Sequence, residues 1–235
     1  MKRFLLTLWN DLLGLFYPRL CGACGTLLAD GEEHLCLYCL YNLPRRFYHR
    51  YPDDENPLRR IFAGCRSVRQ VITYLHFERE GLVQHLIHEF KYHNNDRLAI
   101  YIGRLAAREL QSEGYLTDVD LLVPVPLHPR KIRQRGYNQS ERIARGLASI
   151  YHIPIDTDSF IRRIYTKTQT RKSAYKRRQS IENVFAVPHP ERLAGHHILL
   201  IDDVLTTGST LLNCINTLRI VPDLRISIFT VATVI

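Results

Sequence analysis

One thirteen-residue segment, ILLIDDVLTTGST at residues 198–210, constrains the fold of this chain more than any other. It opens with four apolar residues, as expected of a central strand buried on both faces, and two carboxylates, Asp202 and Asp203, follow directly. A turn rich in hydroxyl groups comes next, and it opens a helix whose first N–H groups have no partner within the helix. Ligands of open α/β sheets bind at the carboxyl ends of strands, so the segment predicts a ligand site there.

The turn in this segment suits an anion that also carries hydroxyl groups. Backbone N–H groups at a helix start bind phosphate, and a glycine lets the backbone approach the ligand closely. Carboxylates accept hydrogen bonds from sugar hydroxyls, so a ribose 5-phosphate matches the pattern; the alternative is a capped strand-to-helix turn without a ligand. The predicted phosphoribosyl-binding residues, of which the first two are also the predicted catalytic residues, are Asp202, Asp203, Thr206, Thr207, Gly208, Ser209 and Thr210.

The rest of the chain alternates between strand-like and helix-like segments. Predicted strands cover residues 71–77, 120–126, 155–164, 197–202 and 226–235. Predicted helices cover residues 82–92, 98–111, 138–151 and 209–220. A basic stretch at 165–182 shows little hydrophobic period and is expected to be a mobile excursion. Such alternation indicates an α/β fold with an open, mostly parallel sheet flanked by helices.

Four of the six cysteines form two CxxC pairs, Cys21 with Cys24 and Cys36 with Cys39. Two such pairs can supply four thiolates to a tetrahedral Zn²⁺, and nearby glycines fit the tight turns of zinc knuckles. The segment is too small for a core of its own, so the metal would supply folding energy at a structural site. Two disulfides or free thiols are the alternatives. The other two cysteines lack partners in the sequence and are expected to be buried.

Four segments make up the predicted domain organisation. Residues 1–16 have leucines at helical spacing, which predicts an amphipathic helix that packs on the domain rather than on a membrane surface. A four-cysteine zinc module at 17–47, a polar linker at 48–66 and the main α/β domain at 67–235 follow. No stable membrane insertion and no signal peptide are expected, and the cysteine usage indicates a reducing, cytoplasmic compartment.

The positive charge of the chain is concentrated in one region. The formal net charge is +9, which favours an anionic partner such as a nucleotide or a nucleic acid. Residues 130–180 contain fourteen Lys or Arg and three acidic residues, which gives this region a net charge of +11. The rest of the chain is close to neutral, so we expect the anion to bind near residues 130–180.

Several motifs resemble those of a known family. The segment at 198–210 resembles the signature of the type I phosphoribosyltransferases: four apolar residues, two acidic ones, then TTG and a hydroxyl residue. LLVPVPLHPRKIRQRGYNQSERIA at 121–144 resembles a motif of the ComF/GntX family of phosphoribosyltransferase-like proteins, and QTRKSAYKRRQSIENVF at 169–185 resembles its second basic motif. A Cys-rich amino-terminal module is also typical of that family. The resemblance therefore extends over nearly the whole chain.

This resemblance implies a phosphoribosyltransferase fold with a small zinc module, and a ligand that is phosphoribosyl pyrophosphate or a related nucleotide, bound with Mg²⁺. In this fold the loop after an earlier strand handles pyrophosphate, and a flexible excursion covers the site. Arginine binds phosphate oxygens with two N–H groups, whereas lysine acts more as a point charge. The predicted contacts to pyrophosphate or nucleic acid are Arg130, Arg133, Arg135, Arg171 and Lys172.

Three functions fit these features. ComF-type proteins are associated with DNA uptake beside a helicase-like partner and the recombination machinery, so the first is phosphoribosyl binding with a role in uptake, processing or use of single-stranded DNA. In that function aromatic rings would stack on bases between the basic residues, and the candidates are Tyr137, Tyr151, Tyr165 and Tyr175. The second is an active phosphoribosyltransferase of nucleobase salvage, although no residue pair that reads a base is evident. The third is a ligand sensor, or a seat for the phosphorylated end of a DNA strand.

Overall fold

The computed structural model describes residues 18–52, 54–92, 95–164 and 184–235. Its strands are β1 (Val68–His76), β2 (Leu121–Pro124), β3 (Ile161–Arg162), β4 (Phe185–Ala186), β5 (His197–Leu205) and β6 (Arg225–Thr233). Four of them form a fully parallel sheet in the order β1-β6-β5-β2. The short strands β3 and β4 form a separate antiparallel pair.

Seven α-helices connect and cover these strands within the described residues. They are α1 (Leu37–Tyr41), α2 (Pro57–Ile61), α3 (Leu82–Tyr92), α4 (Asp96–Ser112), α5 (Pro129–Arg135), α6 (Gln139–Tyr151) and α7 (Ser209–Leu218). Two short 3₁₀ turns lie at Tyr48–Arg50 and Pro190–Arg192. Because crossover connections between parallel strands carry the helices to the faces of the sheet, both faces are covered.

The predicted fold class is confirmed: an open, mostly parallel sheet flanked by helices. Strand β5 lies in the middle, hydrogen-bonded to β2 on one side and to β6 on the other, and its residues 198–201 are fully buried. Leu199 and Ile201 pack with α3, α4 and α6, whereas Ile198 and Leu200 pack with α2 and α7. The continuous apolar run therefore serves two cores, one on each face of the sheet.

Helices α4 and α6 pack backbone to backbone on one face of the sheet. A Cβ atom at Gly103 of α4 would collide with the main chain at Ile143 of α6, and one at Gly146 would collide with the carbonyl oxygen of Ile100. Glycine at both positions is thus needed for this close approach. The contact fixes the amino-terminal end of α6 above the carboxyl end of β5.

The predicted strand at 155–164 is wrong for most of its length. Only Ile155 forms a parallel bridge, to Leu122, and β3 is limited to two residues. Between them the Asp156 carboxylate accepts hydrogen bonds from the main-chain N–H groups of Asp158 and Ser159, at 2.9 and 2.7 Å, and from the Ser159 hydroxyl. This local side-chain turn satisfies N–H groups that a strand would otherwise pair, so the chain bends away from the sheet.

The predicted division into four segments stays a prediction, although part of it can be described. The expected linker at 48–66 contains helix α2, and its Leu58 and Phe62 side chains are fully buried against the sheet. The expected amino-terminal helix at 1–16 and the expected excursion at 165–182 lie outside the described residues. Within the part of the chain that the structure covers, no helix has both the length and the apolar character of a membrane span.

Candidate functional site at the carboxyl edge of the sheet

The acidic pair lies where β5 extends beyond its neighbour β2. Pairing with β2 ends at Ile201, whereas β5 continues beside β6 to Leu205, so Asp202 and Asp203 face the space that β2 leaves. Oδ1 of Asp202 accepts hydrogen bonds from the Ser140 hydroxyl at 3.2 Å and from the main-chain N–H of Asp203 at 2.9 Å. Oδ2 of Asp203 lies 2.7 Å from Nζ of Lys91. Helices α3 and α6 thus hold one carboxylate each.

The two carboxylates have different electrostatic surroundings. Burial, together with the neighbouring charge of Asp203, raises the pKa of Asp202 to about 7, although its hydrogen bonds and Lys91 oppose that shift. Asp203 has a direct cationic partner in Lys91, and only 16% of its side chain is exposed. The pair therefore combines an ion-paired carboxylate with one that holds its proton up to neutral pH.

The turn at 206–210 follows the acidic pair and opens α7. Gly208, the residue before α7, has a φ of 75°, and a Cβ atom there would lie 2.5 Å from Cγ2 of Ile61, so both backbone angle and space require glycine. The first turn of α7 has no side-chain cap, and Thr207 and Ser209 share a hydrogen bond of 2.8 Å between their hydroxyls. Unpaired N–H groups and exposed hydroxyls make this turn an anion cradle.

Asp202 and the turn at 206–210 line one small cavity. Its volume is about 40 Å³, enough for a group of a few non-hydrogen atoms. Six of the seven predicted phosphoribosyl-binding residues thus line this cavity, and the seventh, Asp203, follows Asp202 directly and faces Lys91. The cavity walls include Asp202, Thr206, Thr207, Gly208, Ser209 and Thr210.

Four cationic side chains interact with one another next to the acidic pair, and we call them the basic cluster: Lys91, Lys131, Arg135 and Arg162. Burial and the charges of Arg162, Arg135 and Lys91 lower the pKa of Lys131, while Asp203 raises it. Burial likewise lowers the pKa of Arg162, against the attraction of Asp202. Like charges held this close repel one another, so a polyanion placed among them would relieve the repulsion.

The predicted basic residues fall into three groups. Arg135 belongs to the basic cluster, bonds to Oε1 of Gln139 at 3.1 Å, and lies over the ring of Tyr92, 5.3 Å from its centroid. Arg130 and Arg133 are exposed on α5 and lie outside the basic cluster. The remaining two, Arg171 and Lys172, lie outside the described residues. His128 caps α5 through Nδ1, which accepts a hydrogen bond from the main-chain N–H of Arg130 at 3.2 Å.

Two of the four tyrosines proposed to stack on bases, Tyr137 and Tyr151, pack in the protein instead. Tyr137 is 5% exposed, and its hydroxyl donates to the carbonyl oxygen of Phe90 at 2.5 Å. The hydroxyl of Tyr151 donates to the carbonyl oxygen of Tyr115 at 2.9 Å. Neither ring is free to stack on a base, and the other two tyrosines proposed for stacking, Tyr165 and Tyr175, lie outside the described residues.

A larger cavity of about 510 Å³ adjoins the small one at the same edge of the sheet. The two cavities share Val204 and Thr206 as lining residues. Apolar side chains make up much of the wall, and polar groups from α3 and the loop before it complete the wall. Its volume is in the range of small-molecule sites. The lining residues are Phe77, Arg79, Glu80, Gln84, Ile87, His88, Lys91, Tyr92, Val204, Thr206 and Val234.

The four cysteines of the two CxxC pairs form one cluster, in which the Sγ atoms all lie within 4.8 Å of one another. The Sγ atoms of Cys24 and Cys36 are 3.8 Å apart, close to the edge of about 3.8 Å that a tetrahedron with Zn–S bonds of about 2.3 Å would have. The Cys36 N–H donates to the Cys21 sulfur, and the Cys39 N–H to the Cys36 sulfur. All four are free thiols, and the cluster can hold a metal ion such as zinc.

The surroundings of the cluster agree with a metal site. The hydrogen bonds from Thr26 lower the pKa of Cys24 to about 6, whereas burial and the neighbouring sulfurs raise that of Cys39. Four thiolates this close would repel one another without a cation, so a divalent metal fits the donor set. The other cysteines, Cys65 and Cys214, are buried in the apolar core away from this cluster.

Three residues of the site were not found from the sequence: Lys91, Ser140 and Arg162. Each lies in a segment remote from the acidic pair along the chain, and each reaches it through tertiary packing. Within α5, the sequence predicted phosphate contacts for the arginines and not for Lys131. In the structure, however, Lys131 is partly buried and its charge interacts with Asp203.

The chain has clear sequence relatives. It is 33% identical over 206 residues to the DNA utilization protein YhgH of Escherichia coli O157:H7, which covers 83% of this chain and 88% of that protein. It is 34% identical over 131 residues to competence protein F of Haemophilus influenzae, covering 54% and 57% of the two chains. Competence protein ComFC of Bacillus subtilis is 28% identical over 195 residues, covering 82% and 75%. No protein-family model matches the chain.

Solved structures give a weaker likeness. The glutamine phosphoribosylpyrophosphate amidotransferase of B. subtilis is similar with a TM-score of 0.42 and 18% identity, over 61% of this chain and 30% of that chain. The purine phosphoribosyltransferase of Pyrococcus horikoshii gives a TM-score of 0.34 and 18% identity, over 61% and 86%. Family membership rests on the sequence relatives, together with the acidic pair, the 206–210 turn and the cysteine cluster. The chain belongs to the ComF/GntX family of phosphoribosyltransferase-like proteins, with YhgH, competence protein F and ComFC.

Proposed function

We propose that this protein binds phosphoribosyl pyrophosphate, or another ligand with a ribose 5-phosphate group, and acts in the uptake, processing or use of single-stranded DNA. One observation carries the first part: Asp202 and the 206–210 turn line one cavity at the carboxyl end of β5. The turn offers N–H groups to the phosphate, and the acidic pair accepts hydrogen bonds from the ribose hydroxyls.

The basic cluster supplies the remaining subsite. The charge of Lys131 acts on Asp203 and that of Arg162 acts on Asp202, so a pyrophosphate on the ribose would meet these two cations beside the acidic pair. The hard carboxylate oxygens of the pair suit Mg²⁺, which Asp203 would hold together with oxygens of the ligand. When bound, the ion would neutralise charge on the pyrophosphate. Arg171 and Lys172 remain further candidates for phosphate contacts.

The DNA role is supported by the relatives and by charge. YhgH is named a DNA utilization protein, and the two other relatives are named competence proteins. Arg130 and Arg133 extend the positive charge of the basic cluster onto the exposed surface of α5. Exposed arginines beside a phosphate site suit the backbone of a single strand. A helicase-like or recombination protein as a partner stays a prediction.

Calorimetric titration of phosphoribosyl pyrophosphate with Mg²⁺ tests the ligand directly. At pH 8, above the raised pKa of Asp202, we expect saturable binding to the native protein. We expect a loss of about 100-fold or more in affinity when Asp202→Asn and Asp203→Asn are combined, because two charge-assisted hydrogen bonds are weakened together. Asp223→Asn is the matched control. That carboxylate lies before β6 at the opposite edge of the sheet, and its φ of 54° is one that asparagine also adopts.

Either of two results would overturn the ligand proposal. One is the absence of saturable binding to the native protein. The other is equal affinity for the native protein and the double variant, since binding would then occur away from the acidic pair. A loss of affinity in Asp223→Asn as large as that in the double variant would show only that net charge matters.

A second candidate function is phosphoribosyl transfer to a nucleobase, and the larger cavity favours it. The cavity opens beside Thr206 and Val204, within reach of a ribose held by the acidic pair, and its walls of Phe77, Ile87 and Tyr92 suit a planar ring. Pyrophosphate release that depends on an added base would establish transfer. Binding without release would leave the protein as a phosphoribosyl-binding component of DNA handling.

A further inference from the structure

The ion pair between Lys91 and Asp203 has a consequence for metal binding. We propose that Lys91 is a built-in counterion, which keeps divalent cations off the acidic pair until the ligand arrives. The part about the arriving ligand rests on the proposed function, whereas the exclusion of metal from the ligand-free protein does not. Two adjacent carboxylates at a strand end are otherwise a favourable site for Mg²⁺ or Mn²⁺.

The position of Lys91 is fixed by its surroundings. Its Nζ lies 2.7 Å from Oδ2 of Asp203, and the two side chains are 20% and 16% exposed. Lys91 belongs to the last turn of α3, and the hydroxyl of Tyr137 holds that turn through the carbonyl oxygen of Phe90 at 2.5 Å. Tyr137 itself is buried. The ammonium group therefore occupies one place beside Asp203 instead of moving freely in solvent.

Two features oppose a metal ion at the acidic pair: carboxylate oxygens that already accept hydrogen bonds, and repulsion from the neighbouring cationic side chains. Oδ1 of Asp202 already accepts from Ser140 and from the N–H of Asp203, and Oδ2 of Asp203 already bonds to Lys91. Lys131 and Arg162 lie close enough for their charges to act on the same carboxylates. A divalent cation at Asp203 would stand next to the ammonium group in a partly buried space, where like charges repel strongly.

A polyphosphate would reverse this balance. Lys91 is close enough to Lys131 for its charge to depress the pKa of that lysine, so it can serve the same anion as the rest of the basic cluster. Once Lys91 turns to a phosphate oxygen, Asp203 is free for a ribose hydroxyl and for the cation that accompanies the phosphates. Beside Asp203, the divalent cation thus replaces the ammonium group of Lys91 only when the anion is present.

Mn²⁺ binding to the full-length, ligand-free protein tests the proposal without any phosphoribosyl compound. Free Mn²⁺ is followed by electron paramagnetic resonance for the native protein, Lys91→Met and Lys91→Arg. We expect Lys91→Met to gain one Mn²⁺ site, with affinity about tenfold or more above that of the native protein, because the competing charge is removed. Lys91→Arg keeps the charge and should gain none, and Lys91→Met combined with Asp203→Asn should lose the new site.

Two outcomes would overturn the proposal. The native protein could bind one Mn²⁺ at the acidic pair as tightly as Lys91→Met does, or Lys91→Met could gain no site while its circular dichroism and melting curve match the native ones. If the methionine variant does not fold, Lys91→Gln replaces it, since it keeps a polar group in the same space. A gained site in a protein that fails to bind phosphoribosyl pyrophosphate would support the counterion while contradicting the proposed function.

Discussion

Among single residues, Asp202 carries the clearest consequence for stability. Its pKa is raised to about 7 by burial and by Asp203, from an ordinary value of 3.8. The folded protein therefore holds this proton between about pH 4 and pH 7, whereas the unfolded chain has lost it. A state that binds more protons gains stability as the pH falls, so this group destabilises the native fold increasingly as the pH rises through that window.

We expect Asp202→Asn to be more stable than the native protein at pH 8, by up to about 4 kcal/mol, because three pKa units correspond to that amount. The amide oxygen can still accept from Ser140 and from the N–H of Asp203. Near pH 4 the two proteins should melt together. The measurement is the difference in melting temperature across pH 4–8, and a difference that does not change with pH would refute the raised pKa.

The side chain of His197 lies between a serine and an aspartate, in an arrangement that has a structural role here. Its Nε2 lies 2.9 Å from the Ser227 hydroxyl and its Nδ1 lies 3.0 Å from a carboxylate oxygen of Asp118, the order of a hydrolytic triad. Ser227 is fully buried, and the three groups lie near the amino ends of β5 and β6, at the edge opposite the ligand site. No substrate can reach the hydroxyl, so this network joins β5, β6 and the loop before β2.

Residues of the site could be predicted from the sequence where they are contiguous. Asp203 and Gly208 follow from one segment, since a buried strand, two acids and a turn have a local signature. Lys91 and Ser140 could not be predicted in the same way, because only the packing of α3 and α6 on the sheet brings them to the acids. Local motifs thus reveal a site, and tertiary contacts complete it.

Among the larger elements, the cysteine segment depends on α4 for its packing. A Cβ atom at Gly22 would lie 2.7 Å from a methyl carbon of Leu98, so the first CxxC turn lies directly against the helix. His34 contacts the ring of Tyr101 at 5.3 Å between centroids, and Glu33 pairs with Arg104. The segment therefore shares the core of the main domain, and the cysteine cluster holds its loops in place.

We expect one zinc ion per purified chain and its loss in Cys36→Ser, because three thiolates hold Zn²⁺ much more weakly than four. The melting temperature should fall by roughly 5–15 °C, at about 2–4 °C for each kcal/mol lost in a chain of this size. Atomic absorption and thermal melting measure both effects. Cys65→Ala, a buried cysteine outside the cluster, should keep its zinc; a full zinc content in Cys36→Ser would exclude this site.

Helices and strands could be predicted from the sequence where the hydrophobic pattern extends over many residues. Helix α3 has the predicted bounds, and the ends of β5 and β6 differ from the predicted ones by at most three residues. The strand expected at 155–164 failed because Asp156 forms its own hydrogen-bonded turn, an effect that apolar patterning does not report. Helix α5 was missed, since seven residues rich in charge show no apolar face.

At the scale of the whole molecule, part of the positive charge in the described residues lies at the edge of the sheet that carries the ligand site. The net charge of +11 in residues 130–180 includes α5, whose exposed arginines lie beside the basic cluster at the carboxyl edge of the sheet. The opposite edge also carries exposed arginines, Arg66 and Arg219, beside a separate cavity of about 350 Å³. Both edges of the sheet thus carry exposed arginines, but only the carboxyl edge has the acidic pair and the basic cluster. Arginines can therefore be removed from either edge with the same change in net charge.

Single-stranded DNA should bind the carboxyl edge. We expect Arg130→Gln combined with Arg133→Gln to weaken binding and to reduce the slope of log affinity against log salt by about 1.4, at about 0.7 for each phosphate contact on a single strand. Fluorescence anisotropy with a labelled oligonucleotide at several salt concentrations measures both. The control, Arg66→Gln combined with Arg219→Gln, removes the same charge from the opposite edge and should leave the slope unchanged. Equal effects of the two pairs would mean that DNA responds to net charge alone, and the carboxyl edge would then have no special role in DNA binding.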